Sequence, residues 1–201
     1  MTKRLMLAAA ALALAGSAGC EALSALSDAI DPPPPKLKIG KRAVAVLPFT
    51  GFRVLRKHPD IERELGEAII TELKAVYPET AFIAAEDVAE WKKKTPNWQG
   101  IPAPSIGKDL GAGLMVEVNV VEFHTRPRAD SVFVQAVLVA EVLASDVERQ
   151  AIIWRLGRVR ITWPADTTHT IYDTTEDAAK AKAIARFAER FTMTFARRFE
   201  K

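Results

Sequence analysis

The chain has 201 residues, 49% hydrophobic and 26% charged, with 28 Lys+Arg against 25 Asp+Glu and a formal net charge of +3 at pH 7. This is the balance of an ordinary globular protein, without the strong basic excess that marks a nucleic-acid-binding face. Cys20 is the single cysteine, which excludes an internal disulfide and leaves the fold to be held by its core.

Residues 1–20 read MTKRLMLAAAALALAGSAGC. Lys3 and Arg4 give a positive start, residues 5–15 an apolar stretch, and Ser17, Ala18 and Gly19 a run of small residues ahead of Cys20. These are the three parts of a secretion signal. The apolar stretch is shorter than the roughly 20 residues that a membrane-crossing helix needs. Ala18-Gly19-Cys20 resembles the lipobox of bacterial lipoproteins, with Ser17 where the usual motif has Leu, Val or Ile. The resemblance implies that residues 1–19 are a lipoprotein signal peptide and that Cys20 is the lipidated first residue of the mature chain. Glu21 in place of Asp implies delivery to the outer membrane, facing the periplasm. The alternative is ordinary cleavage that leaves Cys20 a free thiol. Loss of Lys3 and Arg4 leaves 26 basic against 25 acidic side chains, a net charge of +1.

Residues 20–40 form a spacer. Pro32, Pro33, Pro34 and Pro35 are consecutive and favour a stiff, extended left-handed helix. The globular domain is expected over 41–201. Residues 42–49, RAVAVLPF, read as a central strand apolar on both faces. Ile61, Leu65, Ile69, Leu73 and Val76 recur at helical spacing until Pro78. A second strand is expected at 81–85, a helical turn at 86–91, a loop at 92–105 and a short helix at 106–110. Gly111 reads as the C-cap of that helix. Three long β segments follow at 114–125, 131–144 and 151–163, joined by short polar connections that suit antiparallel hairpins. Val132, Val134, Ala136, Leu138, Ala140 and Val142 share one wholly apolar face, and Gly157 breaks the phase of the last segment as a bulge would. Thr174 with Asp177 reads as a capping box for a closing helix. Its stripe of Ile184, Phe187, Phe191, Phe195 and Phe199 is the face that a terminal helix lays on a sheet. The fold class is therefore α/β (α+β): a mixed sheet of about five strands in a three-layer-like domain.

The signatures of catalysis are thin. His58, His124 and His169 do not stand at metal-ligand spacing, so no metal or cofactor is expected. Glu117, Glu122 and Glu141 fall on strands, where Arg155, Arg158 and Arg160 supply counter-charges on a solvated sheet face. The domain is expected not to be an enzyme. In the loop at 92–105, Trp98 and Ile101 beside three prolines form a low-entropy anchor for a protein partner, unless the loop folds Trp98 back onto its own domain.

Residues 42–49 are similar to the opening strand of a superfamily of envelope proteins. It includes the curli-secretion lipoprotein, the lipoprotein activators of penicillin-binding proteins and the amino-terminal domain of the Tol-system propeller protein. Gly107-Lys108-Asp109-Leu110-Gly111-Ala112 ahead of a strand resembles a turn of the same group. The resemblance covers about residues 42–200. It implies a lipid-anchored periplasmic domain that binds another envelope protein, with a ring-forming subunit of a transport or secretion complex as the alternative. The expected partners are the membrane, through Cys20, an envelope protein, and further copies of the chain.

Overall fold

The structure is a computed structural model that describes residues 36–128, 130–165 and 169–200. Cys20, the signal and the proline run lie outside the described residues. The domain is the unit Leu37–Lys201. Residues 37–40, at the end of the expected spacer, pack with it. Ile39 is buried, and the Arg42 guanidinium donates hydrogen bonds to the carbonyls of Lys38 and Ile39 while its Nη1 lies 2.7 Å from buried Asp146.

The β-branched, apolar runs of the sequence form one mixed sheet. Its strands, in spatial order, are β2 (Val44–Thr50), β3 (Leu114–His124), β5 (Ala136–Asp146) and β6 (Ala151–Trp163). β2 and β3 are parallel, whereas β3, β5 and β6 form an antiparallel meander. The strand expected at 81–85 is reduced to one bridge, Val44↔Phe82, because the chain turns at Ala84 into the next helix. Two short ribbons close the ends. β1 (Leu37–Lys38) pairs with β8 (Phe199–Glu200) at one end of the sheet, and β4 (Phe133–Val134) pairs with β7 (His169–Thr170) at the other.

Among the described residues five α-helices complete the domain: α1 (Phe52–Lys57), α2 (Ile61–Val76), α3 (Ala85–Lys94), α4 (Ala103–Asp109) and α5 (Glu176–Arg198). α2 and α5 cover one face of the sheet. Ile61, Leu65, Ile69 and Leu73 are buried there, as their spacing requires. α3 and α4 cover only part of the other face, over Ala45, Leu47 and Met115, so the three-layer packing is local. α4 ends as expected at Gly111 (φ 72°), where the Ala112 N–H donates to the Gly107 carbonyl and the Gly111 N–H to Lys108.

The alternation of β5 orders the core. Val134, Ala136, Leu138, Ala140 and Val142 all face α2 and α5, but Val132 is exposed because the chain leaves the sheet at Gln135. At Glu141 the register with β6 slips and Gly157 and Arg158 stand opposite one residue, the bulge that the glycine signalled. Thr175, not Thr174, caps α5, its Oγ1 accepting from the Ala178 N–H at 3.1 Å. Thr174 belongs instead to a turn, donating its N–H to the Thr170 carbonyl. Phe187, Phe191, Phe195 and Phe199 are all buried against the sheet, with Phe195 and Phe199 stacked at 4.1 Å between centroids. Trp154 of β6 meets Phe195 and Phe199 edge-on at 5.8 and 5.7 Å.

Replacing Phe191 with Ala is expected to remove about 3–5 kcal/mol of stability, read from urea unfolding. Tyr77 is also buried, donating its hydroxyl to the Phe199 carbonyl at 2.9 Å, and burial pushes its phenol up to about 12. The chain has 2 tyrosines, so an ultraviolet titration of the folded protein should resolve Tyr77 from Tyr172, and Tyr77→Phe should abolish the later step. Because the folded value lies above the ordinary one, this contribution is complete below pH ~10 and is lost as pH rises through ~12.

Candidate functional site

β2 and β3 run side by side and end near Thr50 and His124, where β5 begins and β6 finishes. Loops and helix ends gather beyond this edge: α1 after β2, residues 125–128 after β3, the β4–β7 ribbon, and the start of α5. Leu37, where the domain begins, lies at the opposite end, paired with Phe199.

Several large apolar side chains are exposed at this edge: Phe52 at 77%, Tyr172 at 88%, and Val132, Phe133 and Ile171 at about half. The backbone that presents them is ordered by local bonds. The Ile171 N–H donates to the Val132 carbonyl at 2.9 Å, and the Phe133 N–H to Ser131 Oγ at 3.0 Å. The Asp173 carboxylate accepts from both the N–H and the hydroxyl of Thr170, which holds its pKa below the usual carboxylate range.

Beside them is a cavity of about 370 Å³ lined by Lys57, His58, His124, Thr125, Arg126 and Glu176. The Glu176 carboxylate bridges β3's exit to α5. One oxygen lies 2.6 Å from Arg126 Nη2, and the other accepts the Thr125 hydroxyl. The Thr125 bond, aided by the Arg126 charge, lowers its pKa. His58 packs edge-on against Phe123 at 4.7 Å. Burial first, then the Lys180 charge, lowers its pKa. His124 Nε2 lies 3.2 Å from Glu122.

Trp98 and Ile101 lie elsewhere, on the side covered by α3 and α4. Both are half-buried and pack on the smaller core group of Leu47, Val88 and Ile106. Trp98 meets Phe49 edge-on at 6.0 Å and carries Lys92 Nζ 4.6 Å above its ring. Lys92 is ion-paired with Glu62 at 2.8 Å and donates to the Pro48 carbonyl. Burial depresses the Lys92 pKa, opposed by Glu62. The strand carboxylates behave as a charged sheet face. Arg158 binds Glu141 at 2.8 Å and Arg160 binds Glu122 at 3.3 Å, while burial raises the Glu117 pKa against the pull of Arg155. Among the described residues, no group of three or more His, Cys, Asp or Glu is placed to hold a metal ion, and no helix is long and apolar enough to cross a membrane.

His124 falls near the end of the β segment expected at 114–125, but nothing in the sequence links it to Lys57, His58 or Glu176. The three cations among the six residues of α1 were the available signal for Lys57 alone.

No protein-family model matches the chain, and no curated protein matches it. Solved structures similar to it include the PelC dodecamer from Paraburkholderia phytofirmans, at 14% identity over 83% of this chain and 94% of that one with a TM-score of 0.49. Lipoprotein GNA1162 from Neisseria meningitidis is 12% identical over 72% and 98%, with a TM-score of 0.47. The protein CT253 from Chlamydia trachomatis is 16% identical over 79% and 99%, with a TM-score of 0.42. Similar structures thus include bacterial lipoproteins, but at these scores the likeness assigns neither activity nor assembly.

Glu62→Gln is expected to cost roughly 3 kcal/mol in urea unfolding, because it leaves the Lys92 charge enclosed without its partner.

Proposed function

We propose that this chain is a lipid-anchored lipoprotein of the bacterial envelope whose domain binds another envelope protein rather than catalysing a reaction. The anchor is read from Cys20 behind its signal-like run, and the resemblance of residues 42–49 and 107–112 to envelope proteins supports the location. The single observation that carries the binding role is the display of Phe52, Val132, Phe133, Ile171 and Tyr172 at the sheet edge opposite Leu37. Exposed apolar side chains on an ordered backbone are suited to a protein contact, because little side-chain entropy is lost on docking. A lipid tether raises the local concentration of such a surface at the membrane. The uncovered halves of Trp98 and Ile101 are a secondary contact in this reading.

The test has two parts. Cys20→Ala protein should leave the membrane fraction and lose label from a fatty-acid precursor; retention of both refutes the anchor. Phe133→Asp with Tyr172→Asp should abolish the main product of in-cell crosslinking while changing stability by no more than about 0.5 kcal/mol, as exposed substitutions do. Undiminished capture refutes this surface.

A second reading is assembly of several copies. β6 is a sheet edge of 13 residues with no strand on its outer side among the described residues. Such edges pair with other strands unless charge or bulges prevent it. Sedimentation of the detergent-solubilised chain decides: a discrete multi-subunit species supports assembly, and a monomer removes it.

A further inference from the structure

The apolar display has a polar neighbour that the binding reading does not use. Four of the six residues lining the cavity are Lys57, His58, His124 and Arg126, each with a nitrogen that can carry a proton. The six residues of α1, FRVLRK, add two further cations, Arg53 and Arg56, and contain no acid. This corner of the domain is therefore rich in donors and positive charge.

Two enclosed nitrogens of the lining residues, Arg126 Nε and His124 Nδ1, make no hydrogen bond among the described residues. A buried polar atom without a partner loses its hydration with nothing in return, so such atoms are rare unless something else satisfies them. The rest of the Arg126 fork is occupied. Nη2 holds Glu176 at 2.6 Å and Nη1 reaches the Ser131 carbonyl at 3.4 Å. An oxyanion bound side-on to a guanidinium takes Nε and a terminal nitrogen together. Glu176 uses only the terminal one, so the edge of the fork that a second oxygen would take is bare.

We propose that this cavity is an oxyanion site that accepts a carboxylate or phosphate group, and that Glu176 is its intramolecular stand-in. The incoming group takes the Nε–H and Nη2–H of Arg126 and the Thr125 hydroxyl, with Lys57 supplying charge. His124 donates through Nδ1 in the form in which that nitrogen carries a proton. Glu176 competes for the same donors and is displaced toward solvent. The site rests on the reading of this sheet edge as the binding face, and gives it a chemistry: the partner presents an acidic group beside an apolar one.

The experiment is an NMR titration of the detergent-solubilised full chain, following the Arg126 Nε–H resonance and the two imidazoles of the cavity, with sodium phosphate in one arm and sodium acetate in the other. A saturable shift is expected in wild type. Glu176→Gln, which removes the competing charge, should tighten binding by about tenfold, the scale of one charge-assisted hydrogen bond. Arg126→Gln should abolish the shift of the imidazoles. Saturation by phosphate alone or by acetate alone names the source of the oxyanion. Linear shifts that persist in Arg126→Gln, or no shift in wild type and Glu176→Gln alike, overturn the proposal. The wild-type titration decides even where a variant fails to fold. Because it needs no protein partner, its failure leaves the crosslinking result intact, and loss of crosslinking leaves the titration intact.

Discussion

The structure depends on the fit between the aromatic ladder of α5 and the small residues of β5. Ala136, Ala140 and Ala144 alternate with Leu138 and Val142 on the inward face of the strand, and Phe187, Phe191 and Phe195 pack against that face. Bulky rings over small side chains let the helix approach the sheet without voids. The ladder continues past the helix end. Phe199, the first residue of β8, stacks on Phe195, pairs with Leu37 through the backbone and accepts the hydroxyl of Tyr77 from the end of α2. One row of rings thus joins the last helix, the first strand and the central helix. No disulfide is available to do this work, and the buried area of the rings replaces it.

That arrangement assigns the two ends of the sheet different tasks. At the end where the domain begins, the polar groups are consumed internally. Arg42 holds the Lys38 and Ile39 carbonyls and the Asp146 carboxylate, and its stem fills the space that a side chain on Gly113 would need. At the other end β3 outruns β2 by four residues, and α1, the β4–β7 ribbon and the first turn of α5 surround its exit. The short elements there bury only part of their apolar surface: Val134 is enclosed, but a six-residue helix and a two-residue ribbon have too little surface to cover Phe52 and Phe133 as well. Exposure of Phe52, Phe133 and Tyr172 follows from topology rather than from local sequence.

Much of the fold was legible because it is written in periodicity. α2, α5 and β5 each repeat their apolar residues at the spacing of their own element, and Gly111 and Gly157 mark positions where the backbone departs from it. The exceptions are set by long-range contacts. Residues 131–144 read as one strand, yet Gln135 breaks it by donating its N–H to the Thr125 carbonyl, which no local pattern foretells. Phe82 has the composition of a strand but only one residue of edge to pair with. Trp98 reads equally well as displayed or folded back, and its packing on Phe49 and Lys92 depends on elements about 50 and six residues distant. The site was the least legible part. Lys57, His124 and Glu176 are far apart in sequence, and only the parallel pairing of β2 with β3 and the docking of α5 bring them to one cavity.

Two ion pairs of similar length show why one is a strut and the other a receptor. Glu62 and Lys92 are saturated: one carboxylate oxygen accepts the Thr50 N–H, the other accepts Lys92, and the ammonium also meets the Pro48 carbonyl and the Trp98 ring. Nothing remains for a ligand to bind, and removing either partner leaves a charge enclosed. Arg126 and Glu176 are half-exposed and line a cavity, and their contact leaves the guanidinium Nε–H without a partner among the described residues. Exchanging Glu176 for another oxyanion would conserve the charge balance, gain a hydrogen bond to a donor that has none, and return a carboxylate to water at little cost. The same chemistry that stabilises the first pair therefore makes the second exchangeable. The difference lies in which polar atoms the fold has already satisfied.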